Sequence, residues 1–158
     1  MRVQRIISIA SFILFFVVSK GVAQQQFECS GNPEVCAFVN HFIGAFNERD
    51  WKQLRACFAD DITVMFDSPS FPERKNGRAA VEAMFRPLFP DSGATQGANR
   101  FNLKPENVLI QDLGNVAVVS FHLRQAGEIA RRTLILRKNK SSWEIAHIHA
   151  SSFELPSK

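Results

Sequence analysis

The stretch Trp143-Glu-Ile-Ala-His-Ile-His-Ala-Ser151, near the end of a 158-residue chain, alternates with a period of two residues. That period is typical of a β-strand, whose successive side chains point to opposite faces of a sheet. The pattern predicts one face that carries Trp143, Ile145, His147, His149 and Ser151. Two imidazoles and a hydroxyl beside an aromatic ring are expected to form one wall of a pocket with a polar end.

Three other stretches with the same period precede it, over residues 101–111, 116–124 and 129–137. Short segments that contain Gly, Asn, Ser and Ala separate the four runs and supply the turns. This order predicts four consecutive antiparallel strands. A fifth strand, Ile62–Phe66, is predicted earlier in the chain, because its residues are largely β-branched or aromatic.

The first two predicted helices begin at recognisable capping residues. Asn32-Pro33 combines an N-cap residue with proline at the first helical position, and a wide apolar stripe follows. Asp50, with Gln53 three residues on, is a capping-box arrangement for the second helix. This second helix is expected to end near Asp60-Asp61.

A third helix is predicted to begin at Gly77-Arg78, and Pro87 must kink or end it. The small, polar segment over residues 91–99 is too short for a domain linker, and it is interpreted as a mobile flap over a site or as a plain loop. Helices followed by strands predict an α+β fold, with three N-terminal helices packed in the concave face of a curved, mainly antiparallel sheet.

The first 23 residues are predicted to be a signal peptide, cleaved after Ala23 at a small-x-small site. Arg2 and Arg5 precede an apolar run from Ile6 to Val18. A retained anchor is the alternative, but these thirteen residues at about 1.5 Å each cover only about 20 Å of a roughly 30 Å hydrocarbon core. We therefore expect an exported protein, periplasmic or secreted, with an extension over residues 24–33 and one domain over residues 34–153.

Removal of the signal peptide changes the charge of the chain. The formal net charge is +4, and the loss of Arg2, Arg5 and Lys20 without any acid brings it to +1. A near-neutral body gives no electrostatic reason to expect nucleic acid as a partner. No later segment predicts stable insertion into a membrane.

The chain has three cysteines, which allow one internal disulfide and three possible pairings. Cys29 with Cys36 is favoured, because they bracket a turn-rich segment. Closing that ring stabilises the fold by about 2.5 kcal/mol in the loop-entropy model. Cys57 is expected to be a packed core thiol, and a bridge between Cys36 and Cys57 is the main alternative.

The order and spacing of several short patterns resemble the SnoaL-like domains of the nuclear transport factor 2-like superfamily. These patterns are the apolar first helix, Arg49-Asp50-Trp51, Cys57-Phe-Ala-Asp-Asp-Ile62, Gly77-Arg78, Leu113-Gly-Asn-Val-Ala-Val118 and the closing Trp143 to Ser151 alternation. The resemblance runs from about Glu34 to Ser152. It implies a conical, cystatin-like α+β domain with a cavity between sheet and helices, commonly a homodimer through its outer sheet. Members include isomerases, dehydratases, cyclases, epoxide hydrolases and non-enzymatic binding or assembly modules, so the fold does not give the function.

His147 and His149 are the expected polar lining, because imidazole both donates and accepts hydrogen bonds near neutral pH. By resemblance to the family's closing pattern, His149 and Ser151 are the pair expected to face the interior. An outward-facing histidine, or one satisfied by backbone in the core, is the alternative. No metal is expected, since two strands at about 4.8 Å each would separate His122 from the pair by roughly 9.6 Å.

Acid–base catalysis of the isomerase kind needs a carboxylate in an apolar cavity and a neutral donor such as tyrosine. The chain has no tyrosine, so the donor role would pass to His149, Ser151 or Trp51. Asp67, just after the first predicted strand, is the candidate base, with turn capping as the alternative. His149 is the second catalytic candidate.

Arg131 and Arg132 are consecutive in a predicted strand, so each points to a different face and one of them could bind an anion in the cavity. Two solvated arginines, or one arginine in a dimer interface, are the alternatives. The run over residues 116–124 likewise has one fully apolar face and one mixed face that contains His122. The sequence does not decide which of these two faces lines the cavity.

The leading hypothesis is an exported, homodimeric SnoaL-like domain that binds a small, partly apolar molecule with a polar or anionic end, without a cofactor. The expected ligand-binding residues are Trp51, Phe66, His122, Arg132, His147, His149 and Ser151. One alternative is a cofactor-independent isomerase, dehydratase or cyclase with an Asp or His base. The other is a dimeric assembly module that works through its outer sheet.

Overall fold

The computed structural model describes residues 27–89, 101–140 and 142–156. The helices are α1 (Pro33–Asn47), α2 (Trp51–Ala56) and α3 (Arg78–Phe85), and a 3₁₀ turn over Arg86–Leu88 follows α3. The strands are β1 (Phe58–Phe66), β2 (Lys75–Asn76), β3 (Pro105–Asp112), β4 (Val116–Gln125), β5 (Glu128–Asn139) and β6 (Ser142–Glu154). The predicted signal peptide and the segment 91–99, interpreted as a flap or loop, lie outside the described residues.

The six strands form one mixed, curved sheet in the order β2-β1-β6-β5-β4-β3. The four strands from β3 to β6 are antiparallel neighbours, as the sequence predicted. β1 joins them by pairing in parallel with β6, and the short strand β2, which was not predicted, pairs with β1. The predicted α+β class is therefore confirmed.

The predicted caps are present at the first two helices. The side chain of Asn32 accepts hydrogen bonds from the backbone N–H groups of Glu34 and Val35 at 2.9 and 3.4 Å. Asp50 accepts from the N–H of Gln53 at 3.0 Å. These contacts satisfy donors that the first turn of a helix leaves unpaired.

The predicted end of the second helix is wrong. α2 stops at Ala56, and β1 begins at Phe58 instead of Ile62. The carbonyl of Cys57 accepts a hydrogen bond from the N–H of Ile145 at 2.7 Å, so pairing with β6 takes this segment into the sheet. Local helical spacing gave no sign of that long-range contact.

β3 begins at Pro105, later than the predicted start at Phe101. The backbone of Leu103 is already hydrogen-bonded elsewhere, because its N–H and carbonyl bind the side-chain amide of Asn47 at 2.8 and 3.1 Å. The end of α1 thus holds the segment that leads into β3.

The core lies between the three helices and the concave, inner face of the sheet. The fully apolar side of β4 is buried there, and it consists of Ala117, Val119, Phe121 and Leu123. The apolar side of β4 therefore faces the helices and its mixed side, with His122, faces outward. The sequence had not decided between these two orientations. No helix within the described ranges has the length and hydrophobicity to cross a membrane.

Cys29 and Cys36 are joined by a disulfide with their Cα atoms 5.8 Å apart. This bond ties the segment before α1 to the first turn of the helix. Cys57 is a free, buried thiol, and burial raises its pKa to about 12. The thiol is therefore protonated at neutral pH and is not a nucleophile.

Candidate functional site

β6 contains one extra residue relative to β5. Leu136 pairs with Ile145, but the preceding residue of β5, Ile135, pairs with His147, which leaves Ala146 as the extra residue of a β-bulge. Because side chains alternate strictly along a strand, one inserted residue reverses which positions face the core.

The predicted single face of β6 is therefore wrong. Trp143 and Ile145 are buried on the inner face, and after the bulge Ile148 and Ala150 take the inner positions. The remaining members of the predicted face lie on the outer side of the sheet: His147, His149 and Ser151.

His122 also lies on the outer face, because β4 buries its apolar side. Its ring faces Asn107 of β3, with 3.4 Å between the Nδ2 of Asn107 and the Nδ1 of His122. The sequence-based assignment of His122, His147 and His149 to the cavity wall therefore does not agree with their positions.

Arg132 places a guanidinium on the inner face. It pairs with Phe121 of β4 and with Ala150 of β6, and Ala150 in turn pairs with Phe66 of β1. These four residues form a row across the sheet. Because Ala150 is small, the guanidinium reaches across it to Phe66, with 5.8 Å between the Cζ of Arg132 and the ring centroid, a cation–π distance.

The guanidinium of Arg132 is half-buried and has no ion-pair partner among the described carboxylates. Its Nη1 donates to the backbone carbonyls of Arg131 and Ser151 at 2.9 and 3.3 Å. Burial lowers the pKa of Arg132, and the charges of Glu128 and Asp67 oppose that shift. The group remains cationic at neutral pH. It therefore offers its Nε and Nη2 donors to an acceptor from outside the described residues.

Small side chains lie beside Arg132 in the sheet, and the ring of its partner Phe66 packs against a second aromatic ring. Ala130 and Ser152 pair with each other in the next row of the sheet. The ring of Phe85 on α3 meets that of Phe66 edge-on, with centroids 6.1 Å apart. Arg132 therefore has small side chains beside it in the sheet and the ring of Phe66 across Ala150.

Trp51 lies at the far end of a series of contacting aromatic rings that begins with Phe66 and Phe85. Its ring is 5.6 Å from that of Phe89. Phe46 connects the two ends, since its ring lies 5.3 Å from Phe89 and 6.1 Å from Phe85. Of the predicted ligand-binding residues, the structure thus brings Phe66 and Arg132 together and places Trp51 further along the same apolar surface.

Asp67 is exposed, in contrast to the buried base that isomerase chemistry requires. Its carboxylate accepts a hydrogen bond from the N–H of Ser152 at 3.0 Å, and its own N–H donates to the carbonyl of Ala150. Asp67 therefore fastens the end of β1 to β6. No polar or charged residue among those described is buried.

Three residues near Arg132 or its aromatic partner Phe66 were not among the predicted site residues: Phe85, Ala150 and Ser152. Phe85 lies within the predicted third helix, where the sequence gave no reason to place it at a site, and the bulge that the sequence did not reveal led to the wrong face for the end of β6. The signal that did find the site was the adjacent pair Arg131 and Arg132, since one of two consecutive strand residues must face inward. Within the described ranges, no three residues of the types His, Cys, Asp and Glu are grouped so that they could hold a metal ion.

The chain is similar in sequence to one protein family and in fold to several solved structures. The model of a SnoaL-like domain matches residues 35–155. A nuclear transport factor 2-like protein of unknown function from Pseudomonas putida has a TM-score of 0.62 and 17% identity, over 75% of this chain and 83% of that one. No curated protein matches the sequence significantly.

Two of the similar structures are of proteins described as enzymes on the basis of a proposed activity. A proposed dehydratase of the same superfamily from Streptomyces avermitilis has a TM-score of 0.61 and 14% identity, over 76% of this chain and 94% of that one. A proposed ketosteroid isomerase from Parabacteroides distasonis has a TM-score of 0.59 and 16% identity, over 82% and 97%. At these identities the likeness shows the fold and not the reaction.

Proposed function

The chain belongs to the SnoaL-like domain family, and from that premise we propose that its inner face binds a small, largely apolar molecule with an anionic end. Arg132 binds the anionic end, and the half-buried ring of Phe66 beside it contacts the apolar body. The observation that carries this proposal is a half-buried guanidinium that has no carboxylate at ion-pair distance among the described residues. Withdrawing a charge from water costs free energy unless a counter-charge compensates it.

The geometry of Arg132 favours a planar anion. Its Nη1 is held by two backbone carbonyls, which fixes the plane of the guanidinium. The Nε and Nη2 groups form the opposite edge, and two parallel N–H donors match the two oxygens of a carboxylate. We therefore propose a carboxylate as the anionic end.

A matched pair of variants tests this proposal. R132Q removes the inner guanidinium, and R131Q removes its chain neighbour on the outer face. Phenylbutyrate and its neutral amide are the probes, measured by calorimetry and by thermal unfolding. Wild type and R131Q should bind the acid more tightly than the amide, and a hundredfold excess of acid over its Kd should stabilise them by about 2.7 kcal/mol. R132Q should lose the preference for the acid.

Two results would contradict this function. Equal binding of acid and amide by wild type would show that no cation recognises the probe. An unchanged preference for the acid in R132Q would show that another group recognises it. Shorter and longer phenylalkanoates then define how much apolar body the site accepts.

We also propose that the protein is a homodimer that pairs through the β3–β4 part of the outer face. Leu109 on β3 is 55% exposed, and the half-buried Val118 of β4 lies on the same side. An apolar side chain on a sheet surface gains free energy when a second copy covers it. Light scattering across a range of protein concentrations measures the oligomer directly.

Export is proposed from the N-terminal signal pattern, and the disulfide supports it. A bond between Cys29 and Cys36 persists in an oxidising compartment and is reduced in most cytosols. Fractionation of expressing cells, followed by N-terminal sequencing, should find a mature chain that starts at Gln24. Full-length protein in the cytosol would overturn this proposal.

A further inference from the structure

The outer face of β1 and β6 carries a cluster of nitrogen and sulfur ligands that the proposed function does not use. Because of the bulge at Ala146, His147 and His149 both lie on this face. The parallel register pairs Thr63 with His147 and Met65 with His149. Met65 is 45% exposed and His149 is exposed.

Thr63 orients the first imidazole. Its Oγ1 lies 2.7 Å from the Nδ1 of His147. When the Nδ1–H donates to this hydroxyl, the lone pair of the ring is on Nε2. A hydrogen bond to the other ring nitrogen is the usual support for a metal-binding histidine, because it fixes both the tautomer and the ring orientation.

The second imidazole and the thioether lie next to the first. His149 is two residues along the same strand, roughly 6.6 Å away at the Cα positions, and the two rings interact electrostatically. Met65 is the cross-strand partner of His149 on the same face. Two imidazole nitrogens and one thioether sulfur are therefore neighbours on an accessible surface.

We infer that Met65, His147 and His149 form a binding site for a monovalent copper ion. A thioether is a soft ligand that selects Cu(I), and imidazole nitrogen also binds copper. Divalent ions such as Mg²⁺ and Ca²⁺ require carboxylate or carbonyl oxygens, which this cluster does not supply. Arg74 is close enough to act on the charge of His147, and its positive charge disfavours a divalent ion more than a monovalent one.

The inferred site is separate from the proposed ligand site and from the dimer surface. The sheet lies between the cluster and Arg132, which is on the inner face. The cluster is on β1 and β6, whereas Leu109 is on β3, three strands from β6 and roughly 14 Å away. Failure of either other proposal therefore leaves this one testable.

Titration of the mature protein, without an affinity tag and with its disulfide intact, tests the site. Cu(I) is kept reduced with ascorbate in the absence of oxygen, and a chromophoric Cu(I) chelator competes with the protein. Wild type should bind one copper ion. M65L and H149Q should each lower the affinity at least tenfold, and T63V, which removes only the orienting hydroxyl, should lower it about tenfold.

H122Q is the matched control, because His122 lies on the same outer face, on β4, away from Met65. C57A is the second control, since the buried thiol of Cys57 is the chain's one free sulfhydryl. Both variants should bind Cu(I) as wild type does. Circular dichroism of each variant checks that the fold is retained.

X-ray absorption of the copper complex gives a readout that stability does not affect. Wild type should show nitrogen and sulfur scattering, and M65L should lose the sulfur shell. The inference is overturned if wild type does not bind Cu(I), if M65L keeps its affinity and sulfur shell, or if C57A loses the copper.

Discussion

Arg131 and Arg132 are adjacent in the chain but lie on opposite faces of the sheet. Arg132 pairs with Phe121 and Ala150, which are buried, and Arg131 pairs with His122 and Ser151 on the outer side. The pair therefore gives a comparison in which the same residue type is half-buried at one position and exposed at the next.

Replacing Arg132 by Met should abolish recognition of carboxylates without loss of stability. The methionine keeps the apolar contact with Phe66 and removes the cost of a half-buried charge, so we expect an unchanged or higher free energy of unfolding, by about 1 kcal/mol. Urea denaturation measures it. R131M should stay within about 0.5 kcal/mol of wild type. A loss of more than about 2 kcal/mol in R132M would show that the guanidinium is structural.

Loss of the disulfide should lower stability by about 2.5 kcal/mol, the loop-entropy value for an eight-residue ring. The double variant C29S/C36S removes the bond between Cys29 and Cys36. Thiol titration of the denatured, non-reduced wild type should find one free sulfhydryl, from Cys57. Three free sulfhydryls in protein purified from an oxidising compartment would contradict the pairing.

Acid should weaken the contact between Asp61 and Arg137, whose atoms lie 2.8 and 3.0 Å apart in a two-point ion pair. Hydrogen bonding from Arg137 lowers the pKa of Asp61 below its usual value. The folded state therefore binds the proton less readily than the unfolded state, so this stabilisation is present above about pH 4 and is lost as the pH falls through the folded pKa.

The D61N variant measures this contribution. Between pH 6 and pH 3, the free energy of unfolding should fall more in wild type than in D61N. Equal decreases in the two proteins would show that the ion pair does not contribute to acid sensitivity.

Leu109→Lys should shift the oligomer toward the monomer, since it places a charge in the proposed dimer surface. Sedimentation velocity across a concentration series measures the shift. L113K is the control, because Leu113 is also exposed, at 66%, but lies in the turn between β3 and β4. A wild-type chain that is monomeric at every concentration would remove the dimer proposal.

The elements of the fold were largely readable from local sequence. Asn32 and Asp50 cap helices because their side chains accept hydrogen bonds within the same turn, and such contacts depend on neighbouring residues only. The four later strands follow from a period of two that each run carries by itself. The end of α2 was not readable, because the contact that decides it joins Cys57 to Ile145, far apart in the chain.

The sequence by itself determined that one of Arg131 and Arg132 would face inward, since alternation along a strand forces consecutive residues apart. Only the tertiary structure decided that it is Arg132, and that His147 and His149 face outward. The physical reason is that a β-bulge belongs to a pair of strands and not to one of them. The extra residue, Ala146, becomes apparent only when β6 is hydrogen-bonded to β5.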